Sequence, residues 1–140
     1  VNRMEGRGEI VTPLVGGPPL DLVLAVPSFG CSTPAVYRAW DDLGGPSADR
    51  VVDAPIGWAE VWGPTWGNDL EPAAEVVAPG LARFRDTVEA ACGVPALLAG
   101  SGSAYAAVVA DADAAAAAVR VLDGRDGVRA WAGRAPVDPA

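Results

Sequence analysis

The 140-residue sequence contains no histidine, and its ten basic residues are all arginines. The absence of histidine excludes a Ser-His-Asp triad and a histidine-based metal site within this chain. Only two cysteines occur, Cys31 and Cys92, and we expect them to be reduced rather than paired in an acidic chain without a signal-like segment. No apolar run approaches transmembrane length, so the expected location is cytoplasmic.

The sequence is acidic but rich in apolar residues. Its net charge of −8 argues against nucleic acid or an anionic membrane surface as a general partner. Apolar residues make up 51%, which is enough to build a folded core. A phosphorylated small molecule is not excluded, because a glycine-rich loop binds phosphate through backbone dipoles and Mg²⁺ offsets negative charge.

The hydrophobic pattern alternates between short apolar runs and amphipathic segments. Short apolar runs bounded by glycine or proline predict strands at 8–14, 20–26, 96–99, 104–110 and 128–132. Longer periodic segments predict helices at 33–43, 68–78, 81–91 and 111–122. This order predicts an α+β fold, a two-layer sandwich of ferredoxin-like type with a mostly antiparallel sheet and its helices on one face.

Three segments carry signals for the start of a helix. Ser32 or Thr33 is suited to cap the first helix, and Pro34 fits its first turn. Asn68 and Glu71 have capping-box spacing, and we prefer this interpretation to a catalytic amide–carboxylate pair of Asn68 with Asp69. Asp111 or Asp113 is expected to cap the alanine-rich helix.

A small-residue segment, Gly-Ser-Gly-Ser at 100–103, separates two apolar runs. Glycine permits a positive φ and close approach of another group, and successive backbone N–H groups in such a turn form an anion-binding concavity. The alternative is a plain turn between two strands.

Three tryptophans, Trp58, Trp62 and Trp66, recur every four residues in a segment rich in glycine and proline. Gly63 and Pro64 argue against a continuous helix there. We expect this segment to pack against the body of the domain, with a ligand-facing aromatic wall as the alternative.

Four stretches taken together, 6–14, 27–37, 67–71 and 98–104, resemble the C-terminal half of the 4-diphosphocytidyl-2-C-methyl-D-erythritol kinases, a family of the GHMP kinase superfamily. The most specific elements are Ser-Thr-Pro-x-x-Tyr, Asn-Asp-Leu-Glu and the late Gly-Ser-Gly-Ser. The resemblance runs from Gly6 to about Trp131. It implies transfer of the γ-phosphate of ATP to the 2-hydroxyl of a cytidine-diphosphate-linked methylerythritol, in non-mevalonate isoprenoid synthesis.

The resemblance also implies roles for particular residues. Tyr37 matches the aromatic position that stacks on cytosine, and Thr33 and Pro34 match the small pocket beside it. The alternatives are a core helix residue for Tyr37 and plain helix capping for Thr33 and Pro34. By the same resemblance, a third superfamily motif braces the main phosphate loop; it comprises Gly100, Ser101, Gly102 and Ser103. No catalytic residue and no metal ligand is expected in this chain.

The family's N-terminal half has no counterpart here: no long glycine-rich loop, early lysine or catalytic aspartate precedes residues 6–9. We therefore expect residues 1–8 to be a junction, 9–133 the C-terminal domain and 134–140 a loose tail. ATP and Mg²⁺ would need the other half, so the 140 residues alone are expected to be inactive. Without that partner domain, the chain is expected to expose an apolar patch.

Two other functions remain open at this point. One is a stand-alone ferredoxin-like domain that binds a small anion or regulates another protein, because this fold supports many functions. The other is a neighbouring kinase of the same superfamily, against which the Ser-Thr-Pro and Asn-Asp-Leu-Glu stretches argue.

Overall fold

The structure is a computed structural model and describes residues 2–5, 9–13, 19–45 and 67–135. Its strands are β1 (Asn2–Glu5), β2 (Ile10–Pro13), β3 (Leu20–Pro27), β4 (Leu97–Leu98), β5 (Tyr105–Val109) and β6 (Val128–Ala135). Its helices are α1 (Thr33–Asp42), α2 (Glu71–Val77), α3 (Gly80–Cys92) and α4 (Ala112–Asp123). Trp58, Trp62 and Trp66 lie outside the described residues, so the prediction for them is not addressed.

The main sheet has four strands in the order β4-β5-β3-β6, and every neighbouring pair is antiparallel. Helices α1 to α3 connect β3 to β4, and α4 connects β5 to β6. This connectivity and strand order are those of a ferredoxin-like α+β sandwich. The predicted fold class is confirmed.

The core lies between the sheet and the helices. On β3, Val23 and Ala25 are fully buried, whereas Leu24 between them is 39% exposed, so the sheet has one covered and one open face. The predicted apolar face of the third helix is confirmed, because α3 buries Leu81, Phe84 and Val88. The small side chains of α4 allow it to pack closely against β3 and β6.

The helix-start predictions have mixed outcomes. Asp111 caps α4, because its carboxylate accepts a hydrogen bond from the backbone N–H of Ala114 at 2.8 Å. At α1, Ser32 occupies the N-cap position as predicted, but its side chain makes no cap bond. The predicted capping box is only half present: Asn68 Oδ1 accepts from the backbone N–H of Leu70, but the Glu71 carboxylate binds Tyr105 and Arg85 and does not fold back onto Asn68.

One strand was not predicted, and another is longer than predicted. Residues Asn2–Glu5, expected to be a junction, form β1 and pair with β2 in an antiparallel hairpin. Strand β6 continues to Ala135, which pairs with Leu20, so the first two residues of the expected tail are in the sheet. Among the described residues, no helix is both long and apolar enough to cross a membrane.

Candidate functional site

Three segments that are far apart in sequence meet at one edge of the domain. The first is the loop 100–103, which connects β4 to β5 and is called the Gly-Ser loop below. The second is the segment 28–33, which leads from β3 into α1. The third is the segment 68–71, which leads into α2.

The Gly-Ser loop has a tight backbone. Gly100 and Gly102 adopt φ values of +59° and +89°, which residues other than glycine rarely adopt. The N–H of Gly102 donates to the carbonyl oxygen of Ala99 at 3.1 Å and closes the turn. The N–H groups of Gly100, Ser101 and Ser103 donate to no other described residue. Backbone N–H groups in a glycine-rich turn of this kind are the donors with which such turns bind anions.

The loop is tied to the segment before α1 by two hydrogen bonds. Ser103 Oγ donates to the carbonyl oxygen of Phe29 at 2.8 Å. The hydroxyls of Thr33 and Ser101 share a second bond, with 2.8 Å between Oγ1 and Oγ. Thr33 is the first residue of α1, so the loop is fastened directly to the helix that carries Tyr37.

Cys31 packs beneath the loop. A Cβ placed on Gly102 would lie 3.3 Å from Cys31 Sγ and 3.2 Å from Leu98 Cδ1, so the loop backbone approaches both side chains closely. Burial raises the pKa of the Cys31 thiol, and a protonated thiol is a poor nucleophile. Both cysteines are free, which confirms the expectation that they are not paired.

Asn68 makes three hydrogen bonds from one side chain. Its Nδ2 donates to the carbonyl oxygens of Leu98 at 2.8 Å and Gly100 at 2.6 Å. Its Oδ1 accepts from the backbone N–H of Leu70 at 3.0 Å. The side chain that the sequence pattern assigned to a helix cap therefore binds the Gly-Ser loop.

Glu71 lies at the centre of a charged cluster. Its Oε1 accepts from the hydroxyl of Tyr105 at 2.9 Å and from Arg85 Nη1 at 3.2 Å. Arg85 also donates to Glu75 at 2.9 Å. Burial, together with the hydrogen bond to Glu71 and its charge, raises the pKa of Tyr105 above its ordinary value, so the phenol stays a donor.

Arg85 compensates the two carboxylates of this cluster. Burial alone lowers its pKa, but the hydrogen bond to Glu71 and the charges of Glu75 and Glu71 raise it above the ordinary value. The guanidinium is therefore fully charged. An open cavity of about 520 Å³ adjoins the cluster; it is lined by Trp40, Asn68, Glu71 and Arg85, among others.

Tyr37 projects from α1 with half of its side chain exposed (50%), whereas its neighbour Val36 is fully buried. The alternative interpretation of Tyr37 as a core residue is therefore wrong. Pro34 lies in the first turn of the same helix, as predicted. The structure joins Thr33 to the Gly-Ser loop through Ser101, while Tyr37 makes no polar contact with that loop.

Sequence reasoning missed three residues of this site: Glu71 as a side-chain acceptor, Tyr105 and Arg85. Tyr105 is the one polar side chain in an otherwise apolar strand, which is a signal that it needs a buried partner. Among the described residues, no three His, Cys, Asp or Glu side chains lie close enough together to hold a metal ion.

No protein-family model matches the chain. A 4-diphosphocytidyl-2-C-methyl-D-erythritol kinase from Rhodococcus jostii is 37% identical over 119 residues, covering 79% of this chain and 38% of the relative. Kinases of the same name from Pelotomaculum thermopropionicum and Cereibacter sphaeroides are both 38% identical; the matches cover 79% and 86% of this chain and 40% and 45% of those proteins.

A solved structure gives the same result. The crystal structure of a 4-(cytidine 5'-diphospho)-2C-methyl-D-erythritol kinase superposes with a TM-score of 0.70 at 32% identity, covering 92% of this chain and 47% of that one. These matches confirm the resemblance inferred from the sequence. The chain spans less than half the length of each of these relatives.

Proposed function

Since the chain matches a segment of the 4-diphosphocytidyl-2-C-methyl-D-erythritol kinase family in sequence and fold, we propose that it is the substrate-binding part of such a kinase. In this proposal the whole enzyme transfers the γ-phosphate of ATP to the 2-hydroxyl of the cytidine-diphosphate-linked methylerythritol. The reaction serves non-mevalonate isoprenoid synthesis, and the cytoplasm is the proposed location.

The half-exposed ring of Tyr37 is the observation that carries the proposal. An exposed aromatic ring provides a face on which cytosine stacks, and such stacking contributes roughly 1–3 kcal/mol. Thr33 and Pro34 lie one turn earlier on the same helix, and we assign them to the small pocket beside the cytosine. The hydrogen bond between the Thr33 and Ser101 hydroxyls supports a position of this pocket next to the Gly-Ser loop.

The Gly-Ser loop would serve the phosphate side of the site. The N–H groups of Gly100, Ser101 and Ser103 have no acceptor in the part of the chain that the structure describes, and in this proposal they donate to the phosphate. We assign these residues and Gly102 to shaping the phosphate site rather than to holding ATP alone. Mg²⁺ does not fit the described residues, which bring no three candidate ligands together, so no step of the reaction is routed through it here.

The partner needed for catalysis is the rest of the kinase. Phosphoryl transfer requires a phosphate cradle and a group that positions the attacking hydroxyl, and we find neither a lysine nor a histidine for these tasks in the 140 residues. The chain by itself is therefore proposed to bind the cytidine end of the substrate without turning it over.

Titration of the ¹⁵N-labelled chain with cytidine diphosphate, followed by amide shifts of α1, tests the proposal. We expect Tyr37→Ala to weaken binding roughly 5- to 150-fold, the equivalent of lost base stacking. Tyr37→Phe should bind like the wild type because it keeps the ring. Val76→Ala, at an exposed position of α2, is the control.

Equal binding by the wild type and Tyr37→Ala would contradict the proposal. It would favour the alternative, a stand-alone domain that takes a small anion at the Gly-Ser loop, because that loop does not depend on Tyr37. Binding of inorganic phosphate without any preference for the cytidine nucleotide would point the same way.

A further inference from the structure

The segment 68–71 contacts both ends of the Gly-Ser loop. At the N-terminal or entering end, where β4 leads into the loop, the Asn68 amide binds the carbonyl oxygens of Leu98 and Gly100. At the leaving end, the Glu71 carboxylate binds the hydroxyl of Tyr105, the first residue of β5. Two side chains of one four-residue segment thus bind both ends of the loop.

We propose that Asn68 and Glu71 are positioning residues that clamp the Gly-Ser loop from both ends and hold it in an anion-binding conformation. The proposal rests on the phosphate role proposed for the loop above. It assigns to these two residues a function that helix capping does not account for.

The entering end needs a clamp because the loop backbone is intrinsically free. Two of its four residues are glycines with positive φ, and glycine loses the most conformational entropy when it is fixed. Asn68 binds the carbonyl groups of the two residues that flank Ala99, Leu98 and Gly100, with one amide group. Because Oδ1 is held by the N–H of Leu70, the amide cannot rotate away without losing all three bonds.

The leaving end is fixed through a buried phenol. Tyr105 is fully buried, and its ring packs edge-on against Phe84 at 6.0 Å between centroids. Its hydroxyl therefore has one fixed direction, toward Glu71. Arg85 Nη1 holds the Glu71 carboxylate in place at 3.2 Å, and a hydrogen bond to a carboxylate is stronger than one between neutral groups.

Amide hydrogen exchange of the 140-residue chain tests the clamp without any ligand. The reporter is the Gly102 N–H, which donates to Ala99 inside the loop. We expect its exchange to accelerate roughly tenfold in Asn68→Ala, which loses two bonds at the N-terminal end of the loop, and at least about threefold in Tyr105→Phe. Thr87→Ala, which deletes one side-chain bond within α3, should leave it unchanged.

A second measurement separates positioning from a merely structural role. With pyrophosphate as the probe, we expect the dissociation constant of Asn68→Ala and Tyr105→Phe to rise at least about fivefold, while Thr87→Ala binds like the wild type. Asn68→Asp serves as the second variant, since it keeps the acceptor for Leu70 but loses both donors. A structural role alone would lower stability without changing the affinity of the folded protein.

Unchanged Gly102 exchange in Asn68→Ala overturns the clamp. Equal pyrophosphate affinity in all variants, or no response even in the wild type, overturns its link to anion binding. Failure of the proposed kinase function is recognised separately, as cytidine diphosphate binding that does not depend on Tyr37. Even with that result, the exchange measurement would still decide whether Asn68 and Glu71 clamp the loop.

Discussion

The conformation of the Gly-Ser loop makes a strong prediction about Gly102. Alanine at this position would have to adopt φ +89°, and its Cβ would lie 3.2 Å from Leu98 Cδ1 and 3.3 Å from Cys31 Sγ. Gly100 has φ +59° but open space around its Cα, and Gly30 has open space and no positive φ. These three glycines therefore separate backbone strain from crowding.

The expected magnitudes follow from these differences. A positive φ costs a non-glycine residue about 1–2 kcal/mol, and crowding at Gly102 adds about 1 kcal/mol. Replacing any glycine also restricts the unfolded chain, which stabilises by about 0.4–1 kcal/mol. We therefore expect Gly102→Ala to lose about 2 kcal/mol of unfolding free energy and Gly100→Ala about 1 kcal/mol. Gly30→Ala should be neutral or slightly stabilised.

Urea unfolding monitored by tryptophan fluorescence and circular dichroism is the assay. With a slope of about 2 kcal/mol per molar urea, Gly102→Ala should lower the midpoint by about 1 M. If Gly102→Ala were as stable as Gly100→Ala, the contacts with Leu98 and Cys31 would be refuted. If both variants were as stable as the wild type, the loop conformation itself would be wrong.

Three further predictions concern the framework of the domain. Asp111→Ala should cost about 1 kcal/mol in urea unfolding because it removes the α4 cap, and Asp113→Ala, which removes no cap bond, should cost less. Burial and the bond to Glu71 raise the pKa of Tyr105 in the folded state, so the phenol contributes its full stabilisation below the ordinary pKa of 10. This stabilisation is lost as the pH rises above 10. The unfolding free energy of Tyr105→Phe should therefore fall less between pH 8 and 11 than that of the wild type. Trp131→Ser should reduce binding of a hydrophobic dye, because the ring is 49% exposed on the open sheet face, and Val121→Ser on α4 should reduce it less.

A specific result would contradict each of these predictions. Equal losses for the two aspartate variants would mean that the cap bond does not stabilise α4. If the wild type and Tyr105→Phe lost equal stability at alkaline pH, the Tyr105 hydroxyl would not stabilise the fold as proposed. Unchanged dye binding in Trp131→Ser would contradict the expectation that the open sheet face forms an apolar patch.

The periodicity of the apolar residues was sufficient to predict the fold. The short apolar run before Pro27 has the length of a strand, and the apolar face of α3 repeats at helical spacing. The hairpin formed by β1 escaped prediction because polar and charged residues make up most of Asn2–Glu5, so no hydrophobic alternation marks it. Residues Asn2–Glu5 form a strand because they pair with β2, and a local sequence pattern does not show such a contact.

The candidate site was predictable only in part. Glycines and serines at 100–103 marked the loop, because few other residues allow its backbone. Asn68 and Glu71 have the spacing of a local helix cap, but tertiary partners 30 and 34 residues away compete successfully for the same side chains. Spacing along a chain cannot show such partners, whereas the lone phenol in β5 was a usable signal.

The most direct test of the whole account is an assay of ATP-dependent phosphorylation of 4-diphosphocytidyl-2-C-methyl-D-erythritol. The 140-residue chain would be measured alone and fused to the N-terminal part of the Rhodococcus jostii kinase, each with and without Tyr37→Ala. We predict no activity for the chain alone, activity for the fusion, and a marked loss in the fused variant. Activity of the chain alone, or a folded fusion that binds ATP but leaves this substrate unphosphorylated, would contradict the account.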